Sequence, residues 1–493
     1  MTTVSEPRDE YTDQLIDVQR NRAAVAGERS VKRGGVKFLP PLASMCCSVA
    51  YDDNGEQQFI QNVSLTKEGQ AAYTKYLALA SFYGATGRTV DGLVGLIFSK
   101  KPLQELPSSI EYLDTNADSK GNSLRDLAKK AATEAMISPR SGLLVARPST
   151  PEGSSIADVE AQNLRPKLLS YKFEDIINWD YEVVNNVEKL SLVVLCELVT
   201  KREGFKVDVE KQYRVLELVK GVYHQALYND GGEPIEELLP VTINGGTSDE
   251  IPFYFVEVGA ENKSIINDLV DMNFHHYQVS ADYNSKNHFS SFTIWYETGA
   301  DSGQNMLMGN GVKWSNRNTD ATFGILQPNG NADALRISLQ DDEQRMAALG
   351  AEALKPRQSG AESAEAKSLD QVAQNSTTAD VAITISEALT KALNFAAMWM
   401  GGTEEAVYEL NTDYNPTGMS GQDLTAMVSA YQGGAISYET LYENLQRGEV
   451  AGSERTAKQE KALIINEGTG MNDLPVEEEE EEPIIAEDDE ADE

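Results

Sequence analysis

Residues Ala361 to Met400 read AESAEAKSLDQVAQNSTTADVAITISEALTKALNFAAMWM and run straight into Gly401-Gly402. The stretch holds neither glycine nor proline and is rich in alanine, so it predicts a long helix, and the paired glycines predict its stop. At ~1.5 Å rise per residue it would reach roughly 60 Å if helical throughout. Val381, Ile385, Ala388, Leu389, Ala392, Ala396 and Trp399 recur at helical spacing and mark one buried face. Asn375-Ser376-Thr377-Thr378 are poor helix formers and predict a kink or break there. Spacing alone is equally met by an ordinary core helix. The alanine-rich face says more, since small side chains let neighbouring helices approach closely, and it predicts a spine packed beside copies of itself.

Working outward towards the N-terminus, Ala332 to Leu349 predicts a helix with Leu335, Leu339, Met346 and Leu349 on one face. Ser264 is placed to cap another, with Ile265, Leu269, Met272, His276 and Val279 on a face. Between them, residues 286–330 form an irregular segment rich in Asn, Gly and Ser, with strand-like pieces at Phe292 to Tyr296 and Thr322 to Leu326. Trp295 and Trp314 lie in that segment; such aromatics either mark a contact surface or fill a small local core. Residues 168–258 change character. Leu190 to Leu198 is a β-branched apolar run, Tyr213 to Val219 and Val222 to Tyr228 flank Lys220-Gly221 as a hairpin, and Ile251 to Val258 is a further strand. Earlier still, helices are predicted over Thr66–Tyr83, Thr89–Phe98 and from a cap at Asn122-Ser123, then a buried strand at 142–146. Residues 1–35 carry little apolar pattern and read as an arm or a loosely packed helix. After the spine come a short strand at Val407 to Leu410, helical units after Ser420 and Ser437, and an acidic tail that cannot bury enough to fold.

The chain has 493 residues, enough for two or three core-bearing regions, and a formal net charge of -36. That acidity argues against a sequence-reading DNA binder, which needs Lys and Arg to displace counterions. It leaves room for a protein past which DNA slides without being gripped, and also for charge that merely confers solubility. Three cysteines, two of them adjacent at Cys46-Cys47, fit a reducing compartment with no disulfide framework. The N-terminus lacks the order of a signal peptide and no apolar run approaches the ~20 residues needed to cross a bilayer, so no membrane partner is expected.

Motifs for chemistry are weak. Gly84-Ala85-Thr86-Gly87-Arg88-Thr89 has the wrong glycine spacing for a phosphate loop, and Arg stands where the ammonium of Lys is required. Adjacent helical residues point about 100° apart, so His275 and His276 do not converge on one metal ion. No GxSxG elbow is present, and none of the abundant acids stands out by its spacing as a catalytic pair. The expectation is a chain that is not an enzyme and carries no cofactor or metal; an enzyme with scattered catalytic residues is the remaining alternative.

Several stretches resemble a portal protein of tailed bacteriophages, in a portal-like family catalogued as a domain of unknown function. They are RTVDGLVGLIF (88–98), GNSLRDLAKK followed by SGLLVARP ending at Pro148, DLVDMNFHHYQVSADY (268–283), Glu362-Ser363-Ala364 leading into the spine, and GAISYETL (434–441). They fall in the same order as in that family and span most of residues 60–450. The fold implied is α+β, mainly helical. The resemblance makes 1–260 a wing that is β-rich from 168, 261–285 and 331–350 two stem helices, and 286–330 a clip between them. It makes 351–366 a tunnel loop, 367–401 the spine and 402–470 a crown-side helical region; residues 471–493, the disordered acidic tail, lie outside the likeness. The function implied is a ring, typically of twelve copies, that conducts double-stranded DNA non-specifically during packaging and ejection. Its implied partners are itself, the large subunit of the terminase motor, head-tail adaptor proteins, and the major capsid or scaffolding protein. The location implied is the virion, and the host cytoplasm during assembly. Lys355 and Arg357 would then touch phosphates from the tunnel loop, and Trp295 and Trp314 would meet partners from the clip. The alternative within the same class is another structural virion or head-tail adaptor protein without a DNA channel.

Overall fold

The computed structural model describes residues 3–42, 45, 67–146, 164–184, 186–243, 246–258, 263–291, 294–298, 320, 322–326, 332–351, 364–412, 414, 421–447, 450–451 and 457–466. It is a mixed α+β fold in which helix outweighs strand. The chain divides into two units, Met1–Tyr414 and Asn415–Glu493.

In the first unit the helices are α1 (Asp9–Ala26), α2 (Glu28–Gly34), α3 (Lys67–Leu79), α4 (Ala85–Ile97), α5 (Leu124–Ile137), α6 (Asn267–Ser290), α7 (Asp333–Met346) and α8 (Ala364–Trp399). The strands are β1 (Leu103–Glu105), β2 (Arg140–Ala146), β3 (Lys167–Tyr171), β4 (Ile176–Val184), β5 (Val187–Glu203), β6 (Lys206–Val219) and β7 (Val222–Asn229). They continue as β8 (Pro234–Pro240), β9 (Thr242–Ile243), β10 (Gly246–Thr247), β11 (Phe253–Glu257), β12 (Ile294–Thr298), β13 (Thr322–Leu326) and β14 (Val407–Glu409). All the described pairings are antiparallel.

Strands β4 to β8 form a five-stranded meander in chain order, and a separate three-stranded sheet runs β11-β2-β3. The Lys220-Gly221 turn has φ of 53° and 78°, the left-handed pair that matches the twist of a tight hairpin. β2 is buried along almost its whole length, and α5 and α8 pack on its sheet. Two polar devices tie the sheets together. Glu197 of β5 accepts two hydrogen bonds from Arg214 of β6 (2.7 and 3.1 Å), one from Tyr171 of β3 (2.6 Å) and one from Gln212 (2.7 Å). Burial pushes the Glu197 carboxyl up, but the Arg214 bonds and charge outweigh it and hold the pKa below the usual range. The Arg140 guanidinium lies 3.8 Å from the centre of the Trp179 ring on β4 and also bonds Glu257.

Helix α1 is no loose arm. Tyr11, Val18, Ala23 and Ala24 are buried, Arg22 makes a bidentate pair with Glu134 (2.9 and 2.7 Å) and bonds Glu174, and Asn21 donates to Asn267 Oδ1 (2.8 Å) and the Ile137 carbonyl (2.9 Å). These partners are far off in sequence, which is why the helix shows no apolar stripe of its own. Gly87 lies inside α4, not in a loop; a Cβ there would sit 2.7 Å from the Val25 carbonyl oxygen, so glycine lets α1 and α4 close. Ser123 caps α5 in a reciprocal capping box with Asp126.

Helix α8 runs without interruption through Asn375-Ser376-Thr377-Thr378, so there is no break of the helix there. Thr378 is buried, and the Tyr414 hydroxyl donates to its carbonyl (3.3 Å). Ala382, Ala388, Ala392, Ala396 and Ala397 are buried against the chain's own α4, α5, β2 and β11, so these alanines serve the internal core and not contact between copies. A polar row one turn apart grips β14. Ser386 Oγ accepts from Leu410 N (3.0 Å), Thr390 Oγ1 bonds both backbone groups of Tyr408 (3.2 Å each), and Asn394 Oδ1 accepts from Ala406 N (2.7 Å). The helix ends where the glycines stand, with Gly401 at φ 78° and Gly402 N bonded to the Ala397 carbonyl (2.9 Å).

The second unit holds α9 (Gly421–Gln432), α10 (Tyr438–Arg447) and α11 (Ala457–Asn466), of which α11 is expected from sequence only as part of the 402–470 helical region. Ser437 Oγ accepts from Thr440 N (3.1 Å) as a cap, and Tyr438 packs between Tyr431 and Tyr442 at ring distances of 6.0 and 6.1 Å.

Candidate functional site: a helical hairpin with a β-ribbon tip

Helices α6 and α7 pack against each other as an antiparallel pair. Leu269 meets Met346 in a small cluster with Ala85; further out His275 Nδ1 lies 2.9 Å from Asp342 Oδ2, and His276 Nε2 lies 3.5 Å from Glu343 Oε1. The adjacent histidines diverge, as helical geometry requires, and each takes its own carboxylate. His276 is buried and tilted against the Tyr83 ring (5.5 Å between ring centres). Burial lowers its pKa below the ordinary histidine value, against the opposing pull of Glu343.

The inner part of α6 is fixed to the body by polar side chains, of which Asn273 and Ser280 are buried, Asn284 half-buried and Asp282 exposed. Asn273 donates through Nδ2 to the Tyr83 carbonyl (2.7 Å) and accepts through Oδ1 from the Thr86 hydroxyl (2.8 Å). Ser280 Oγ donates to the Ser81 carbonyl (2.7 Å) and accepts from Ser81 N (3.1 Å). Asn284 donates to the Leu79 carbonyl (2.9 Å), and Asp282 accepts from the Tyr76 hydroxyl (2.7 Å). Phe274 stacks on Phe38 at 4.9 Å, and the Arg20 guanidinium lies 4.9 Å from the centre of the Phe274 ring. Ser264 does not cap α6; its hydroxyl donates to the Met136 carbonyl (2.6 Å), and Ile266 holds the cap position.

Beyond Ala281 the helix face opens to solvent, and Lys286 to Phe289 are exposed, Phe289 by 68%. There the chain leaves the helices and forms a two-stranded antiparallel ribbon, β12 with β13, in which Ile294 pairs with Leu326 and Thr298 with Thr322. The Tyr296 ring covers Gly324, where an added Cβ would come within 2.4 Å of it. Tyr296 and Phe323 remain about half exposed, at 47% and 43%. The arrangement is a lever. One end is held by helix packing and hydrogen bonds to the body, and the other leads into a strand pair that bears half-exposed aromatics.

Of the site residues expected from sequence, Trp295 stands on β12 in register with Ile325. Trp314, Lys355, Arg357 and the acidic tail fall outside the described residues. The anchors Asn273, Ser280 and Asn284 are missing from the sequence reading. Their signal was polar residues spaced 7 and 4 apart on the face of α6 that carries its apolar residues. Among the described residues, no three His, Cys, Asp or Glu side chains come together as a metal set, and no helix is long and apolar enough to cross a membrane.

Residues 266–400, which take in α6, α7, α8 and what lies between them, match a family described as Domain of unknown function (DUF4055). No curated protein matches the chain. Among solved structures it is similar to a chain in the virion of a native gene transfer agent (GTA) particle, with a TM-score of 0.36, 10% identity, and cover of 77% of this chain and 89% of that one. It is also similar to a chain in the neck of an empty GTA particle computed with C6 symmetry, with a TM-score of 0.37, 9% identity, and cover of 75% and 90%.

Proposed function

We propose that this chain is a subunit of a ring-shaped portal of a tailed-phage-like particle, a non-enzymatic conduit for double-stranded DNA. The observation that carries the reading is a helical pair bolted to the α+β body at its base, with an exposed outer end, Lys286 to Phe289, that leads into a strand pair. Such a pair, repeated around an axis, makes a wall of helices with the ribbons gathered at one mouth. The net charge of -36 suits that role, because an acidic wall repels the phosphate backbone and lets a duplex slide without being gripped. In this reading the ribbon, which carries Trp295, and Trp314 of the same chain segment meet the packaging motor and later the head-tail adaptors. Lys355 and Arg357, between the helical pair and α8, touch phosphates in passing, and the body faces capsid or scaffolding protein.

The test is an image of the purified full-length chain by negative stain, viewed down the particle axis. Closed rings, of about twelve copies and with a hole at least as wide as a ~20 Å duplex, are expected. Rings without such a hole favour a structural or adaptor protein that conducts no DNA, and a chain that stays monomeric under all assembly conditions overturns the reading. Lys355→Ala/Arg357→Ala is expected to lower DNA retention in filled particles; normal packaging and retention would remove these two residues from the proposal.

A further inference from the structure

Strands β5 and β6 outrun their sheet. β4 follows β5 only as far as Leu195, and β7 follows β6 only from Gln212, yet the β5–β6 pairing continues from Leu198↔Lys211 to Glu203↔Lys206. About 20 Å of two-stranded ribbon therefore stands beyond the sheet. Cross-strand partners share a face, so the ribbon has two distinct sides. One carries Val199, Lys201, Glu203, Lys206, Asp208 and Glu210, with ion pairs Lys201–Glu210 and Lys206–Asp208. The other carries Leu198, Thr200, Arg202, Val207, Val209 and Lys211, and every one of these six is exposed. Leu198 is 66% exposed, Val209 60% and Val207 56%, while Phe205 at the turn is exposed completely.

An isolated two-stranded ribbon is marginal in water, and apolar residues in a row on an open strand invite pairing with another molecule. All the acids of the ribbon sit on the opposite side, so the apolar face carries two cations and no anion. That is the complement of a copy of this same chain, whose balance is strongly acidic. A matching surface lies on α1, where Ile16 is 56% exposed and is flanked by the exposed Asp13 and Asp17.

We infer that the apolar, cationic face of the β5–β6 ribbon docks on the acidic, Ile16-bearing face of α1 in an adjacent copy. Ribbon and helix are different surfaces, so the contact is head-to-tail and propagates around a ring instead of closing a dimer. The inference rests on the ring reading above and assigns its subunit contact.

The test uses the full-length chain with a photoreactive benzoylphenylalanine at position 205, mixed with isotopically labelled copies so that links between chains are told from links within one. Linkage to peptides of Asp9–Ala26 of another copy is expected. Leu198→Ser/Val207→Ser/Val209→Ser, all at exposed positions, is expected to lower the ring fraction several-fold with unchanged circular dichroism. Arg202→Glu/Lys211→Glu is expected to do the same, and adding Asp13→Lys/Asp17→Lys to restore it. Wild-type rings with equally assembled variants, or links only within a chain or to nucleic acid, would overturn the contact and leave the ring standing. A wild-type chain that never forms rings removes both.

Discussion

His275 Nδ1 stands 2.9 Å from Asp342 Oδ2, and the next residue of each helix repeats the match, His276 with Glu343 at 3.5 Å. Two successive pairs fix α6 against α7 in both register and rotation. The Asp342 side chain is 3% exposed and that of His275 57%, so the acid lies inside the pair and the base covers it. His275→Ala is therefore expected to cost about 1–3 kcal/mol, chiefly by leaving a buried carboxylate short of a partner. Asp342→Asn added to it should recover part of the loss, because a neutral amide is cheaper to bury. Urea unfolding of the single and double variants measures both.

The second pair sets a pH dependence. Burial lowers the His276 pKa, aided by His275 and opposed by Glu343 and Asp342, so the folded chain binds the proton less well than the unfolded chain. Stability from this group is complete above the ordinary histidine pKa of ~6.5 and is lost as the pH falls below it towards the folded value. Acidification from about pH 7 to about pH 5.5 should lower the melting temperature. A His276→Gln variant should show a flatter profile over that window, and scanning calorimetry in matched buffers distinguishes the two.

At the junction of the sheets, Arg214→Met should cost about 3 kcal/mol, because Glu197 keeps its Tyr171 and Gln212 bonds but loses its counter-charge. Glu197→Gln together with Arg214→Met should be milder than the arginine change alone. Denaturant midpoints give the comparison.

Where α1 meets α4, Gly87→Val places a Cβ 2.7 Å from a backbone oxygen that cannot swing away, so the two helices must part. A loss of about 2 kcal/mol is expected. Gly95→Ala in the same helix, where nothing lies within 4 Å, should be neutral or slightly stabilising in the same thermal melts.

Local signals are legible in the sequence where they are self-contained. The Lys220-Gly221 turn, the Ser123 cap and the Gly401-Gly402 stop each depend on a few adjacent residues, and each stands where its chemistry places it. The hairpin of the candidate site was visible as two helical periodicities around an irregular segment. Its fastening was not, because Asn273 answers to Tyr83 and Thr86, and Asp342 to His275, across long separations that no local pattern reports.

By itself the sequence determined the inventory: a long alanine-rich helix with a sharp end, a hairpin-built β region, two helices flanking an aromatic loop, and a heavy acidic excess. Tertiary structure alone decided three further matters. It carried α8 unbroken through Asn375 to Thr378, where intrinsic penalties are only tenths of a kcal/mol per residue and Thr378 is buried. It turned the alanine face inward and made α1 part of the core through Arg22 and Asn21. It also left the outer β5–β6 rungs without a further paired strand among the described residues, because how far adjacent strands follow is not stated by the run of residues.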